Sequence, residues 1–214
     1  MGMDEIIADG VQPVIKRMFD ILVALAGLIL LFPLMAFVAL LIKCDSKGAV
    51  FFKQERIGRG FRPFLIYKFR TMRESPHGKG PLVTVGQDPR ITRVGGFLRK
   101  TKIDEIPQLI NVLNGDMSFV GPRPEVRQYV EFFQREYEEI LTVRPGITDL
   151  ASLKYRDEAA LLGKAADPEE EYVTRVLPDK IRLAKDYVRH SSFLFDLSLI
   201  FRTMFKLFDY RMSS

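Results

Sequence analysis

The chain has 214 residues, 47% of them hydrophobic, which is the size of one domain plus attachments with ample apolar material for a core. Its formal net charge of +5 is spread along the chain rather than carried on a tail, so charge alone suits anionic lipid, nucleotide and nucleic acid equally. The single Cys44 excludes an internal disulfide, the absence of a His/Cys cluster gives no ground for a zinc site, and a reducing, cytosol-facing environment fits.

Residues 1–15 form a mildly acidic lead. Lys16-Arg17 then introduces an apolar run, Ile21–Ile42, free of charge and interrupted only by Gly27 and Pro33. At ~1.5 Å per residue it is long enough to cross a hydrocarbon core of ~30 Å, so a single span is the simplest reading. Two features favour a helix that dips in, turns near Pro33 and returns. Proline in mid-helix removes a backbone hydrogen bond, which predicts a kink or break. Basic residues flank the run on both sides, Lys16 and Arg17 before it and Lys43, Lys47, Lys53, Arg56, Arg59 and Arg62 after it, so both ends prefer the cytoplasm.

Val50–Phe52 and Phe64–Met72 read as strands or extended segments separated by Gly58, Gly60 and Pro63. Alternation would put Lys68 and Arg70 on one face, either solvated or available to phosphate. Residues 73–87, rich in Pro and Gly, read as a loop, and its lone His77 receives no role.

Arg99–Glu125 is the stretch around which the chemistry is organised. Thr101 and Asp104 resemble a capping box, and Ile106, Leu109, Ile110 and Leu113 recur as one buried helical face, which predicts a helix over 105–113. Pro107 is tolerated in its first turn, and Asn114-Gly115 is a stop. Asp104 and Glu105 would then lie at the positive end of the helix dipole, where a carboxylate is held ionised and a phosphate is favoured. Arg99, Lys100 and Lys102 on one side and Arg123 on the other balance part of the charge of an anionic substrate, and a divalent cation, Mg²⁺, is the expected remainder. An Asp-Glu pair at a helix start is ordinarily only a cap with a solvated neighbour.

Beyond Pro124 the pattern predicts a helix over 125–141, with Val126, Tyr129, Val130, Phe133, Tyr137, Ile140 and Leu141 buried. Residues 144–148 read as a turn, and helix starts near Asp167-Pro168 and Pro178-Asp179 predict two helices before His190. The last segment, Phe193–Phe208, is apolar but carries Asp196, Arg202 and Lys206, which suits an interfacial helix or an ordinary core helix. Its apolar face can meet lipid or a second subunit in a homodimer.

Taken in order, Lys68-Phe69-Arg70-Thr71-Met72, Asp88-Pro89-Arg90-Ile91-Thr92, Leu98-Arg99-Lys100-Thr101, Asp104-Glu105-Ile106-Pro107-Gln108, Gly115-Asp116-Met117-Ser118, Val120-Gly121-Pro122-Arg123-Pro124 and Arg144-Pro145-Gly146-Ile147-Thr148 resemble the bacterial sugar transferase family, the monotopic phosphoglycosyl transferases, over roughly residues 14–210. The resemblance implies a mixed α/β, mostly helical fold in three parts. These are a lead (1–15), a re-entrant membrane helix broken at Pro33 (16–43), and a compact cytosolic catalytic domain with amphipathic interfacial helices (44–214). It implies transfer of a phosphosugar from a UDP-sugar to undecaprenyl phosphate at the cytoplasmic face of the inner membrane, with Mg²⁺ and membrane lipid as further partners and no nucleic acid. The product would be a polyprenyl-diphospho-sugar, the first membrane step of a surface glycan.

Residue by residue, the resemblance makes Asp104 the nucleophile, Glu105 the Mg²⁺ ligand, and Arg99 and Arg123 phosphate contacts, with Lys68, Arg70, Arg90 and Arg144 as further phosphate or substrate contacts. A carboxylate nucleophile would split an encounter of two anions into two half-reactions, giving ping-pong kinetics. The alternatives are Asp104 as general base in a ternary complex, and a membrane-attached scaffold in which Asp104-Glu105 is only a cap. Four positions depart from the family pattern: Phe32 where a serine commonly precedes the proline, Gly96 where a larger residue is usual, and Asp149 and Ser152 where Gly and Gln are usual.

Overall fold

The computed structural model describes residues 3–73 and 88–212, with side chains described over 14–73 and 88–206. Most of the loop expected over 73–87, His77 included, lies outside the described residues.

Helix α1 spans Met3–Asp45, so the lead and the apolar run form one helix. Its part from Val14 to Asp45 is long and apolar enough to cross a membrane. The break expected at Pro33 is not present as an end to the helix, since α1 continues through it. Only one stripe of α1 faces the rest of the protein. Ala24, Leu28 and Leu31 pack with Ile66, Leu109, Val112 and Met117, and farther on Met35, Val38 and Ile42 pack with Phe69 and Leu98. These positions recur every three or four residues, the spacing of one helical face. The opposite face, with Leu22, Leu25, Ile29, Leu30, Phe32, Phe37 and Leu40, is exposed.

Both ends of α1 are fastened to the same folded body. At the start, Arg17 donates to the carbonyls of Val112 (2.7 Å) and Leu113 (3.0 Å), Asp20 accepts from the Phe119 amide, and Lys16 pairs with Asp196 and donates to the Val120 carbonyl (2.9 Å). At the finish, Asp45 accepts from the Val94 amide, and Arg70 donates to the Ser46 carbonyl at 2.7 Å.

The two extended segments expected after α1 are present as β1 (Phe51–Ile57) and β2 (Pro63–Phe69), which form a hairpin, paired antiparallel with Phe51 opposite Phe69. Helix α2 (Arg93–Thr101) is capped by the Thr92 hydroxyl, which accepts from the Gly95 amide at 3.0 Å. A 3₁₀ turn, Ile103–Glu105, leads to α3 (Gln108–Asn114), closed by Gly115 at φ 88°. The helix expected over 105–113 therefore begins at Gln108. Thr101 forms no capping box, because it ends α2 and its hydroxyl bonds back to the Phe97 carbonyl (2.9 Å). The buried face of α3 includes the polar Gln108 and Asn111 with Leu109 and Val112, while Ile106 and Leu113 are half-buried against α1's cluster.

Strand β3 (Ser118–Val120) pairs in parallel with β4 (Gly146–Thr148), so the stretch read as a turn contributes a strand. A Cβ on Gly146 would lie 2.1 Å from the Gly121 nitrogen, so the two backbones meet only because both positions are glycine. The helix expected over 125–141 divides into α4 (Arg127–Phe132) and α5 (Gln134–Ile140) at Phe133, whose φ/ψ of −116°/39° is not helical. Its predicted inner side holds, since Val126, Tyr129, Val130, Tyr137, Ile140 and Leu141 are buried in one cluster.

Short helices α6 (Leu150–Lys154), α7 (Glu158–Leu162) and α8 (Pro168–Glu171) follow. A π-helical turn, Tyr172–Val176, joins α8 to α9 (Leu177–His190), so the two helices expected here run on without a gap. Helix α10 (Phe193–Met212) buries Leu199 and Asp196 and exposes Leu194, Phe201, Met204 and Phe205. Among the described residues the fold is mostly helical with two small sheets, as the resemblance implied, and one long apolar helix is available to anchor it in a membrane.

Candidate active site

Lys102 adopts a left-handed conformation (φ 59°), which stops α2 and redirects the chain, so that Asp104 and Glu105 stand in the tight turn before α3. That turn is braced by Asn111 of α3. Its side-chain amide donates to the Leu65 carbonyl (2.7 Å) and its oxygen accepts from the Tyr67 amide (3.0 Å), tying α3 to the backbone of β2. Lys68, next in β2, is thereby brought to Glu105, and its ammonium donates to Oε1 at 2.9 Å.

Arg123 approaches Glu105 from the other side, with Nη1 3.4 Å from Oε2 and Nη2 bonded to Oε1. Asp149 holds Arg123 in place: its Oδ2 accepts from the Arg123 amide (3.1 Å) while its Oδ1 caps α6 through the Ser152 amide (2.6 Å). Lys68, Asp104, Glu105 and Arg123 line a cavity of about 860 Å³ that also receives Arg99, Lys100 and Lys102.

The two adjacent carboxylates differ sharply. Asp104 is 7% exposed, and its Oδ1 is buried without a hydrogen-bond partner. Burial first, then the neighbouring Glu105 charge, push its carboxyl up to about 6. Burial opposes ionisation of Glu105 as well, yet Arg123 and Lys68 hold it well below the usual carboxylate range. Burial lowers Lys68, against the attraction of Glu105. The expectation that a helix terminus keeps both carboxylates ionised is thus corrected: α3 starts after them, and burial dominates at Asp104.

Of the eight site residues expected from sequence, Asp104, Glu105, Arg99, Arg123 and Lys68 meet at this cavity. Three others do not line it. Arg70 is buried against the end of α1, bonded to Ser46, because β2 ends at Phe69 and the alternation that would pair it with Lys68 stops there. Arg144 donates to the Gly115 carbonyl at 2.8 Å and braces the end of α3. Arg90 is clamped by Asp88, Nε to Oδ1 at 2.9 Å and Nη2 to Oδ2 at 2.6 Å, with Asp88 rather than Arg90 at the cavity wall. Asp149 was not foreseen as part of the site; an Asp between a strand and an apolar helix is an N-cap signal that would have placed it.

A family model described as bacterial sugar transferase matches residues 11–210. The chain belongs to the bacterial sugar transferase family. It is 43% identical to the UDP-N-acetylgalactosamine-undecaprenyl-phosphate N-acetylgalactosaminephosphotransferase of Aeromonas hydrophila, over 89% of this chain and 43% of that protein. It is 36% identical to the UDP-glucose:undecaprenyl-phosphate glucose-1-phosphate transferase of Escherichia coli strain K12, over 93% of this chain and 41% of that one. Against the exopolysaccharide production protein PSS of Rhizobium leguminosarum bv. phaseoli the identity is 41%, over 89% of this chain and 94% of the relative. The chain therefore spans about two fifths of the length of the first two relatives and nearly all of the third.

Within this bacterial sugar transferase, three of the four departures gather at the cavity: Gly96 and Ser152 line it, and Asp149 holds Arg123. Phe32 stands apart on the exposed face of α1.

Proposed function

We propose that the protein is a phosphoglycosyl transferase that moves a phosphosugar from a UDP-sugar to undecaprenyl phosphate, releasing UMP, as the first membrane step of a bacterial surface glycan. One observation carries the reading. A buried carboxylate, Asp104, is left without a partner at Oδ1 in a cavity whose other charges are set to receive phosphates. The activities for which the Aeromonas and Escherichia relatives are named support the same donor and acceptor classes.

In the first half-reaction an Asp104 oxygen attacks the sugar-bearing phosphorus. The carboxylate–phosphorus bond forms, the bond to the bridging oxygen breaks, and UMP leaves with that electron pair. In the second, a phosphate oxygen of the lipid attacks the same phosphorus and Asp104 departs as carboxylate. Arg123 and Arg99 stabilise charge on the diphosphate, and Lys68 with Arg123 keeps Glu105 ionised for the metal. Among the described residues no group of three or more His, Cys, Asp and Glu side chains forms a protein-only metal cage. Mg²⁺ held by one or two carboxylates plus substrate phosphates needs none, so Glu105, beside the unpartnered Asp104 oxygen, fits as its protein ligand. When bound, Mg²⁺ neutralises diphosphate charge.

A monotopic arrangement on the cytoplasmic face of the inner membrane is part of the proposal. It is supported by the two ends of α1 being fastened to one folded body, which a bilayer crossing would separate, and by basic residues on both flanks of the apolar run. How α1 re-enters past Pro33 belongs to the same proposal.

A second reading, Asp104 as general base in a ternary complex, is favoured by one observation, a carboxyl raised to about 6. The test separates the two. UMP release is measured from a panel of UDP-sugars with Mg²⁺ and undecaprenyl phosphate, beside Asp104→Asn, with intact-protein mass read in the absence of lipid. Release that needs Asp104, with a phosphosugar mass on the protein, supports the covalent route. Release without an adduct favours the general base, and no release from any UDP-sugar overturns the donor assignment.

A further inference from the structure

Helix α10 has two opposite sides, and the transfer chemistry uses neither. Leu194, Phe201, Met204 and Phe205 are exposed, Leu194 at 77% and Phe205 at 70%. Steps of seven, three and one residues keep them along one helical face. Asp196, Leu199, Thr203 and Lys206 recur every three or four residues on the other side. There Asp196 and Leu199 are buried, and Thr203 and Lys206 line the same cavity as Glu105 and Arg123.

This inner side grips the cavity wall. The Thr203 hydroxyl donates to the Leu199 carbonyl (2.8 Å), which uses its only proton, so the Thr148 hydroxyl, 2.7 Å away, donates to Thr203. The Lys206 ammonium donates to the Leu153 carbonyl, and the Lys206 carbonyl accepts from Arg156. These three bonds bracket α6, because Thr148 ends β4 while Leu153 and Arg156 lie in and just beyond α6. Asp149, which accepts from the Arg123 amide, follows Thr148 directly in the chain. A shift of α10 is thereby passed to Asp149 and, through it, to Arg123.

We propose that α10 is a lipid-operated brace: a bilayer surface seated on its apolar face holds Thr203 and Lys206 against the cavity wall, which makes these two residues positioning residues for Arg123. The inference rests on the membrane placement proposed above. Lipid is the occupant because the apolar face of α10 adjoins the helix long and apolar enough to cross a membrane. The first turn of α10 packs on the start of α1, with the rings of Phe193 and Phe19 5.5 Å apart and Asp196 paired with Lys16. Arg202, also exposed, suits anionic headgroups beside that face. Two of the three gripping bonds, those of Lys206 and Arg156, are exposed to water, so the grip is of the kind that opens locally when nothing holds the helix from outside.

The test reads amide hydrogen exchange of the full chain in nanodiscs of phosphatidylglycerol and phosphatidylcholine. It needs no turnover, so its outcome is independent of the donor assignment. The amides of Arg123 and Ser152 report directly, since both donate to Asp149. Phe201→Ser with Phe205→Ser alters only exposed side chains, yet exchange at these two amides is expected to rise about fivefold, with α9 unchanged. Thr203→Val should raise the same two amides about equally, and Thr203→Ser, which keeps the hydroxyl, should restore their protection. Unchanged exchange in the paired serine variant would remove lipid as the operator and overturn the proposal. A rise spread through α1 and α9 would be general destabilisation and would overturn it too, as would equal loss in Thr203→Ser and Thr203→Val. The expected exchange pattern in a protein that releases no UMP from any UDP-sugar would support the brace while the transfer reading falls.

Discussion

Two of the buried clusters of charge among the described residues are finished differently. Where α1 begins, Lys16 meets Asp196, the Val120 carbonyl and the Tyr187 hydroxyl, Arg17 meets two carbonyls, Asp20 meets an amide, and Tyr187 donates to Asp196 at 2.7 Å. At the candidate active site Glu105 is clasped by two cations while Asp104, next to it in the chain, keeps an unpaired oxygen. A saturated network holds a helix in one register. An unsaturated one holds a reactive group at an energetic disadvantage, which is what a nucleophile or base requires.

The largest test of that contrast is Asp104→Asn. Turnover should fall by at least ~10³-fold, since the proposed nucleophile or base is gone. The same variant should be more stable, because a carboxyl shifted from 3.8 to about 6 destabilises the folded state by about 3 kcal/mol at neutral pH. A thermal scan in detergent reads the gain. An unchanged or lower melting temperature would mean that the charge at position 104 is not strained.

The effect of pH follows with its sign. In the proposed reaction Asp104 acts as the carboxylate, so kcat/KM should fall about tenfold per pH unit below about 6. Stability moves the other way over that window. A group whose folded pKa lies above its unfolded value stabilises the fold at low pH and loses that contribution as pH rises through about 6, so the advantage of Asp104→Asn should shrink on acidification towards pH 4. Glu105, held low, works oppositely and loses its contribution only as pH falls.

At the other cluster, Lys16→Met removes one partner of a buried pair and leaves Asp196 facing the Tyr187 hydroxyl alone. Stability should drop by roughly 2 kcal/mol, less than a fully buried pair would lose because Lys16 remains 27% exposed. Activity per folded molecule should be retained. Adding Asp196→Leu should recover part of the loss, whereas no second substitution should restore the turnover lost with Asp104.

The two regions were unequally legible in the sequence. Asp104, Glu105 and Arg123 were visible because they stand in one short stretch with Arg99, and the buried side of α4 and α5 was visible as a helical period. The ion pair of Lys68 with Glu105 spans 37 positions and depends on Asn111 docking α3 against β2, which no local pattern encodes. Arg70 was misplaced because alternation was carried one residue past the end of a strand. Strands β3 and β4 have three residues each, too few for a period, and exist through the close approach of Gly121 and Gly146. The start of α1 read as a basic flank, yet Lys16 and Arg17 also bond to groups some 95 to 180 positions away.

The smallest effect tests whether the cavity wall tolerates change where nothing is clasped. Gly95 and Gly96 are neighbours in α2 with opposite surroundings. A Cβ on Gly95 would lie 2.0 Å from the Thr71 carbonyl oxygen, whereas one on Gly96 would meet only Ile91 at 3.9 Å. Gly96→Ala should therefore gain ~0.5–1 kcal/mol, the usual advantage of alanine over glycine inside a helix, with turnover within about twofold. Gly96 also lines the candidate-site cavity, so a longer side chain there would occupy space that the present residue leaves open. If Gly96→Ala lowered turnover while raising stability, this wall too would belong to the unsaturated, reactive half of the comparison, and the departure from the larger residue usual in the family would be a determinant of which sugar fits.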